Sequence, residues 1–151
     1  RYADVIAKSG QSLLSIINDI LDFSKIESGK MDLEAIPVDL AEIAEDVTSL
    51  FWERARSKSL DLAAFVHPAT PAKVLADPVR LRQILSNLVN NAVKFTETGG
   101  VLIKIEPAGA GVRMSVQDTG VGIPKDKLAH LFDAFTQVDQ STTPTYGGTG
   151  L

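Results

Sequence analysis

Asp77-Pro-Val-Arg-Leu-Arg-Gln-Ile-Leu-Ser-Asn-Leu-Val-Asn-Asn-Ala-Val-Lys-Phe-Thr96 is the stretch on which the reading of this chain turns. Asp77 is placed to cap a helix, and Pro78 suits its first turn, where a missing N–H is no loss. Leu81, Ile84, Leu85, Leu88, Ala92 and Phe95 then recur at helical spacing, which predicts a core face. Asn87, Asn91 and Lys94 fall together on a flank, roughly 110° from the centre of that stripe. An Asn amide oxygen can ligate Mg²⁺ or its waters, and an ammonium supplies a point charge for phosphate. Taken alone, the trio is better read as the solvated edge of an amphipathic helix.

Upstream, residues 2–28 read as one long helix. Ile6, Leu13 and Ile20 recur every seven residues, Ile16 and Phe23 form a companion seam, and Ser9 is its polar member. Ile17, Leu21 and Ile26 widen the apolar face, which fits a four-helix bundle better than a two-stranded coiled coil. Gly29 is a C-terminal stop, and a linker runs over 29–37 to Pro37. A second helix starts at Asp39, with Glu42 placed for a capping box and Val38 and Ile43 for a hydrophobic staple. Its predicted face is Leu40, Ile43, Ala44, Val47, Leu50 and Phe51. Short strands are expected over 60–66 and 73–76.

Downstream of Gly99 and Gly100 the period changes to alternation. Val101, Ile103 and Ile105 share one face, and Val112, Met114 and Val116 follow a turn over Pro107 to Gly111, which predicts a hairpin. Asp118-Thr-Gly-Val-Gly-Ile-Pro124 comes directly after it. A carboxylate at a strand end can accept from an exocyclic amine, and glycines allow close backbone approach. Asp and Gly also dominate ordinary turns. From Lys125 to Tyr146 a short helix and a Thr-rich stretch look like a cover over a site, with Phe132 and Phe135 as its apolar anchors. Gly147-Gly-Thr-Gly-Leu151 has amides that would cradle phosphates if a helix followed. It is not a Walker loop, because no Lys-Ser or Lys-Thr pair closes it; a flexible terminus is the plainer reading.

Composition sets the outer bounds. The 151 residues suffice for one compact domain with a short appendage. There are no cysteines, which removes disulfides and thiolate chemistry. A net charge of -4 speaks against general nucleic-acid binding, which draws on clustered Lys and Arg. No apolar run approaches the ~20 residues that span a bilayer. The chain starts inside an apolar periodic pattern and stops inside a glycine-rich motif, so a piece of a longer protein is expected.

Each motif is weak by itself, and their order is not. Asn-x-x-x-Asn-Ala-x-Lys-Phe-Thr, Asp-x-Gly-x-Gly-Ile-Pro, Phe-x-x-Phe and Gly-Gly-Thr-Gly-Leu resemble the N box, first glycine box, F box and second glycine box of sensor histidine kinases of the GHKL ATPase superfamily. Ile16-Ile-Asn-Asp-Ile-Leu-Asp-Phe-Ser-Lys-Ile-Glu-Ser-Gly-Lys30 resembles the second helix of that family's dimerisation and phosphotransfer hairpin. Phe135-Thr-Gln-Val-Asp139 and Ser141-Thr-Thr143 are most like hybrid kinases that carry their own receiver domain.

The resemblance implies an α/β (α+β) sandwich, a GHKL or Bergerat-type fold with a mixed sheet packed on helices. It places the dimerisation helix at 1–28, the linker at 29–37 and the catalytic ATP-binding domain at 38–151, its C-terminal part missing. It implies ATP and Mg²⁺, with Asn91 as metal ligand, Asn87 beside it and Lys94 on phosphate. Asp118 would bind the adenine amine, Gly120 and Gly122 would shape that pocket, and Phe132, Phe135, Gly148, Thr149, Gly150 and Leu151 would complete the nucleotide site. Hydrolytic relatives carry a Glu where Asn87 stands; a neutral amide cannot activate water, which fits phosphoryl delivery to a side chain. The implied acceptor His lies outside this chain, since neither His67 nor His130 has the family's neighbours. Implied partners are a second copy through the bundle and a receiver domain or response regulator, with no nucleic acid and no direct membrane contact, in the cytoplasm. Pro144 departs from the pattern where relatives often have a basic residue. Two alternatives stay open: a degenerate kinase fold used as a dimeric scaffold, and a GHKL-type ATPase module of the chaperone or topoisomerase kind.

Overall fold

A computed structural model describes residues 2–128. They divide into two units, one of Leu33–Gly122 and the other of the segments on either side of it. In the flanking unit, α1 (Tyr2–Glu27) ends as its sequence predicts. Gly29 takes φ +63. Its N–H donates to the Ile26 carbonyl at 3.0 Å and the Lys30 N–H to the Lys25 carbonyl at 2.9 Å, the paired bonds of a Schellman stop. Ile6, Leu13, Ile17, Ile20, Leu21 and Ile26 stand exposed along α1. A short helix at Lys125–Leu128 also belongs to this unit.

The Leu33–Gly122 unit runs β1 (Ile36–Val38), α2 (Leu40–Ser57), β2 (Asp61–Val66), β3 (Val74–Ala76), α3 (Pro78–Phe95), β4 (Gly100–Ala108) and β5 (Gly111–Asp118). The sheet has the order β2-β4-β5, with β2 parallel and β5 antiparallel to the central β4. It is therefore mixed, as expected, and α3 lies in the crossover that a parallel pair requires. Val101, Ile103 and Ile105 of β4 are buried, together with Ile43 and Val47 of α2 and Leu85, Val89 and Val93 of α3. The opposite sheet face, with Ala63 and Phe65, is exposed. β1 pairs antiparallel with β3 as a separate ribbon, Ile36 opposite Ala76 and Val38 opposite Val74; so short a strand carries no period that the sequence could show.

Three expectations are corrected. Asp39 caps α2 by accepting from Ala41 N at 2.9 Å and Glu42 N at 3.4 Å, but among the described residues no bond returns from the Glu42 side chain, so the cap is simple and not a box. Leu50 is exposed, and Ala55 takes its place in the buried stripe of α2. On α3 the core face is Leu85, Val89, Ala92 and Val93, whereas Ile84 and Leu88 are exposed at 58% and 46%. The true stripe is turned by roughly 75° from the predicted one. α3 has enough apolar residues for two overlapping stripes, and only the docking of Val89 and Val93 against the sheet chooses between them.

The hairpin turn is also tighter than predicted. β4 and β5 stay paired to Ala108 opposite Gly111, with Pro107 opposite Val112. Only Gly109, at φ +57, and Ala110 make the turn. Pro107 is tolerated because it lies beyond Ile105, the last β4 position paired to β2.

Candidate functional site

Asp77 opens α3 by accepting from Val79 N at 2.9 Å and Arg80 N at 3.0 Å. Its second oxygen accepts from Glu34 N at 3.2 Å. The Arg80 N–H, followed by that of Glu34, holds this carboxyl below the usual aspartate range. With its start fixed, α3 presents Asn87 and Asn91 one turn apart and exposed. Neither amide has a hydrogen-bond partner among the described residues. Asn90, between them, is used structurally, accepting from Arg54 at 2.6 Å. The Lys94 ammonium lies 4.8 Å from the centre of the Phe95 ring.

At the other end of the site, β4–β5 pairing sets Asp118 opposite Val101. Val101 is buried, so Asp118 belongs to the sheet face on which the helices pack, at the point where the strand stops. One Asp118 carboxylate oxygen accepts from Gly120 N at 2.9 Å, which orients the group and leaves its second oxygen for a ligand. The Thr119 hydroxyl donates to the Thr98 carbonyl at 2.7 Å and accepts from Gly100 N at 3.0 Å. Val121 N reaches the Phe95 carbonyl at 3.4 Å.

The loop after β5 is thus seated directly on the end of α3. Gly120 has no room for a side chain, since a Cβ there would lie 2.7 Å from the Phe95 oxygen. Gly122 is needed for a different reason, its φ of +70. The structure therefore brings the end of the Asn-bearing helix to the Asp118 loop, two segments separated in sequence by the whole hairpin. Phe132, Phe135, Gly148, Thr149, Gly150 and Leu151, together with His130 and Pro144, lie outside the described residues.

Sequence reasoning passed over Thr119, which stitches the loop after α3 to the loop after β5. It also passed over Lys58, whose ammonium bonds the carbonyls of Val93, Lys94 and Thr96. Nothing in a lone Lys at a helix end distinguishes this role from a solvated one. The His67 imidazole accepts from Ala69 N at 3.1 Å through Nδ1 and meets Phe65 edge-on.

A mixed sheet packed on helices, with α3 in the crossover between its parallel strands, is the architecture of a GHKL-type ATPase fold. The chain belongs to the family of histidine kinase-, DNA gyrase B- and HSP90-like ATPases, whose model matches residues 76–151. It is 45% identical to the sensor protein GacS of Pseudomonas syringae pv. syringae over 99% of this chain and 17% of that protein. It is 41% identical to the signal transduction histidine-protein kinase BarA of Escherichia coli K12, with the same coverage of 99% and 17%. Among solved structures, full-length ShkA in complex with AMPPNP superposes with a TM-score of 0.85 at 41% identity, over 99% of this chain and 30% of that one. Histidine kinase ThkA in complex with the response regulator protein TrrA gives 0.69 at 29% identity, over 90% and 40%. The chain therefore spans about a sixth of the length of the curated relatives it matches.

Proposed function

We propose that this chain is the ATP-holding part of a sensor histidine kinase that passes the γ-phosphoryl group to a histidine outside residues 1–151. The observation that carries the reading is the seating of the Asp118 loop on the end of α3 through Phe95, Gly120 and Val121. That junction sets the Asp118 carboxylate beside the end of a helix whose exposed amides suit a metal and phosphates, which supports the reading.

The free oxygen of Asp118 accepts from the adenine exocyclic amine. Asn91 would offer its amide oxygen to Mg²⁺, with Asn87 one turn away, and Lys94 would contribute positive charge on the phosphate side. An exposed amide oxygen is a donor of the kind a hard cation takes. When bound, Mg²⁺ supplies charge neutralisation across the phosphates. In the transfer, the bond between the γ-phosphorus and the bridging β-oxygen breaks, a phosphorus–nitrogen bond forms on the acceptor imidazole, ADP leaves and the imidazole proton is released. Asn87 cannot take a proton from water, so hydrolysis is not assisted at that position.

The exposed apolar seams of α1 would be covered by a second copy in a helical bundle, which makes the parent a homodimer with 1–28 as its dimerisation helix, 29–37 as linker and 38–151 as catalytic domain. A receiver domain or response regulator is the onward acceptor, in line with the ThkA–TrrA complex. No helix among the described residues is long and apolar enough to cross a membrane; we place this part of the protein in the cytoplasm.

The test is Asp118→Ala, assayed by competition of ATP and GTP against a fluorescent nucleotide. The native chain should prefer ATP, and the variant should lose that preference while unfolding at a near-native temperature. Unchanged discrimination would remove Asp118 from the adenine site.

A further inference from the structure

We infer that Lys58 is a positioning residue for the nucleotide site: its ammonium fixes the last turn of α3 and, through that turn, the seat of the Asp118 loop. The inference rests on the ATP reading above and extends it to a residue on another element.

An α-helix leaves its last four carbonyls without helical partners. At the end of α3, Lys58 Nζ lies 2.7 Å from the Val93 oxygen, 3.1 Å from that of Lys94 and 2.6 Å from that of Thr96. The remaining carbonyl, Phe95, accepts from Val121 N. An ammonium has three N–H donors and no acceptor, so one side chain satisfies three of the four carbonyls and the glycine loop takes the fourth. A positive charge at this point also matches the negative end of the helix dipole.

The chain is bent to deliver that ammonium. Lys58 is the C-cap of α2, its N–H bonding the Ala55 carbonyl. Ser59 adopts φ +56, a left-handed conformation uncommon outside glycine. Leu60 N then returns to the Ala55 carbonyl at 3.0 Å, and Asp61 enters β2 with its N–H on the Gly99 carbonyl at 2.9 Å. The strained turn ties the end of α2 to the loop that follows α3, and the half-buried Lys58 stem runs between them.

The geometry has a functional consequence. With Val93, Lys94 and Thr96 pinned by Lys58, the Phe95 carbonyl is held where Val121 N must meet it and where Gly120 must clear it. Asp118 is oriented by the N–H of Gly120. Lys58 thus acts on the base-reading carboxylate through α3 without touching a ligand. Arg cannot replace it fully, because a planar guanidinium does not direct three donors at one cluster of carbonyls.

The experiment uses the chain with Lys58→Met, Lys58→Gln and Lys58→Arg, and reads two quantities: amide hydrogen exchange at Gly120 and Val121 without nucleotide, and ATP affinity by calorimetry. In the Met and Gln variants both amides should exchange at least roughly tenfold faster than in the native chain, with ATP bound roughly 10- to 100-fold more weakly. The Arg variant should fall between, because it restores charge without the three-way geometry. Native exchange at Gly120 and Val121 in a folded Met or Gln variant overturns the inference, as does native ATP affinity combined with only a lowered unfolding temperature. If the native chain itself binds no ATP, the functional reading fails, while the exchange measurement still decides the role of Lys58.

Discussion

Replacing Gly120 by Ala tests the seating of the Asp118 loop on α3. The added Cβ would lie 2.7 Å from the Phe95 oxygen, 2.8 Å from the inner Asp118 oxygen and 3.1 Å from the Phe95 carbonyl carbon, against ordinary contact from 3.4 Å outward. The first contact is thus 0.7 Å too short, and it is made to a backbone atom of a helix end that Lys58 holds in place. The helix cannot yield cheaply, so the loop must move, carrying Asp118 with it. Overpacking of this kind costs about 1–3 kcal/mol. Expressed in the nucleotide-binding conformation of the loop, that is roughly a 5- to 150-fold loss of ATP affinity. Gly109, in the hairpin turn at the far end of β4 and β5, is the control: a Cβ there meets nothing within 4 Å, and its demand is φ +57 alone. Asn tolerates that region, so Gly109→Asn should bind ATP within a few-fold of native. Calorimetric titration of both variants, with thermal unfolding to show that each is folded, gives the comparison. A folded Gly120→Ala chain with native ATP affinity would refute the seating.

Three further outcomes follow from the same geometry. Asn91→Ala should lose the Mg²⁺-dependent part of ATP affinity while keeping metal-free binding, and titration in the presence of Mg²⁺ or a chelator separates the two; an intact Mg²⁺ response would remove Asn91 as ligand. The Asp77 carboxyl is held below its ordinary range by the N–H groups of Arg80, Glu34 and Val79, so its contribution to stability is complete above the unfolded value and is lost as pH falls through the lower folded one. Between about pH 5 and pH 2, urea midpoints should therefore fall more steeply for the native chain than for Asp77→Asn, which keeps a cap but no charge; parallel curves would contradict the assignment. Thr96 is buried, and its hydroxyl has no hydrogen-bond partner among the described residues. Thr96→Val should be neutral or stabilising by up to about 2 kcal/mol in denaturant unfolding, since it removes an unsatisfied polar group at nearly constant shape.

The helix starts were legible because capping is local chemistry. Asp39, and Asp77 with Pro78, announce α2 and α3, and Gly29 announces the end of α1, each through a residue whose side chain or φ value decides the matter. Burial on α3 was not legible, because Ile84 and Leu88 are as apolar as Val89 and Val93 and only the tertiary docking separates them. The ribbon strand Ile36–Val38 was missed because three residues carry no periodic signal.

At the candidate site, motif order names Asn87, Asn91, Asp118, Gly120 and Gly122, although each has a commonplace role when taken singly. How the end of α3 is joined to the Asp118 loop is not legible in the sequence. The Phe95 carbonyl, the Thr119 hydroxyl and the Lys58 ammonium act through backbone contacts between distant segments, and no spacing rule encodes those.

The central claim is that this fold holds ATP for transfer and not for hydrolysis. It is tested most directly by calorimetric titration of the chain with ATP in the presence and absence of Mg²⁺, while phosphate release is followed in parallel. Saturable binding strengthened by Mg²⁺, with no appreciable phosphate release, is the result expected. A folded protein that binds no ATP, or one that turns it over rapidly to free phosphate, would contradict the account.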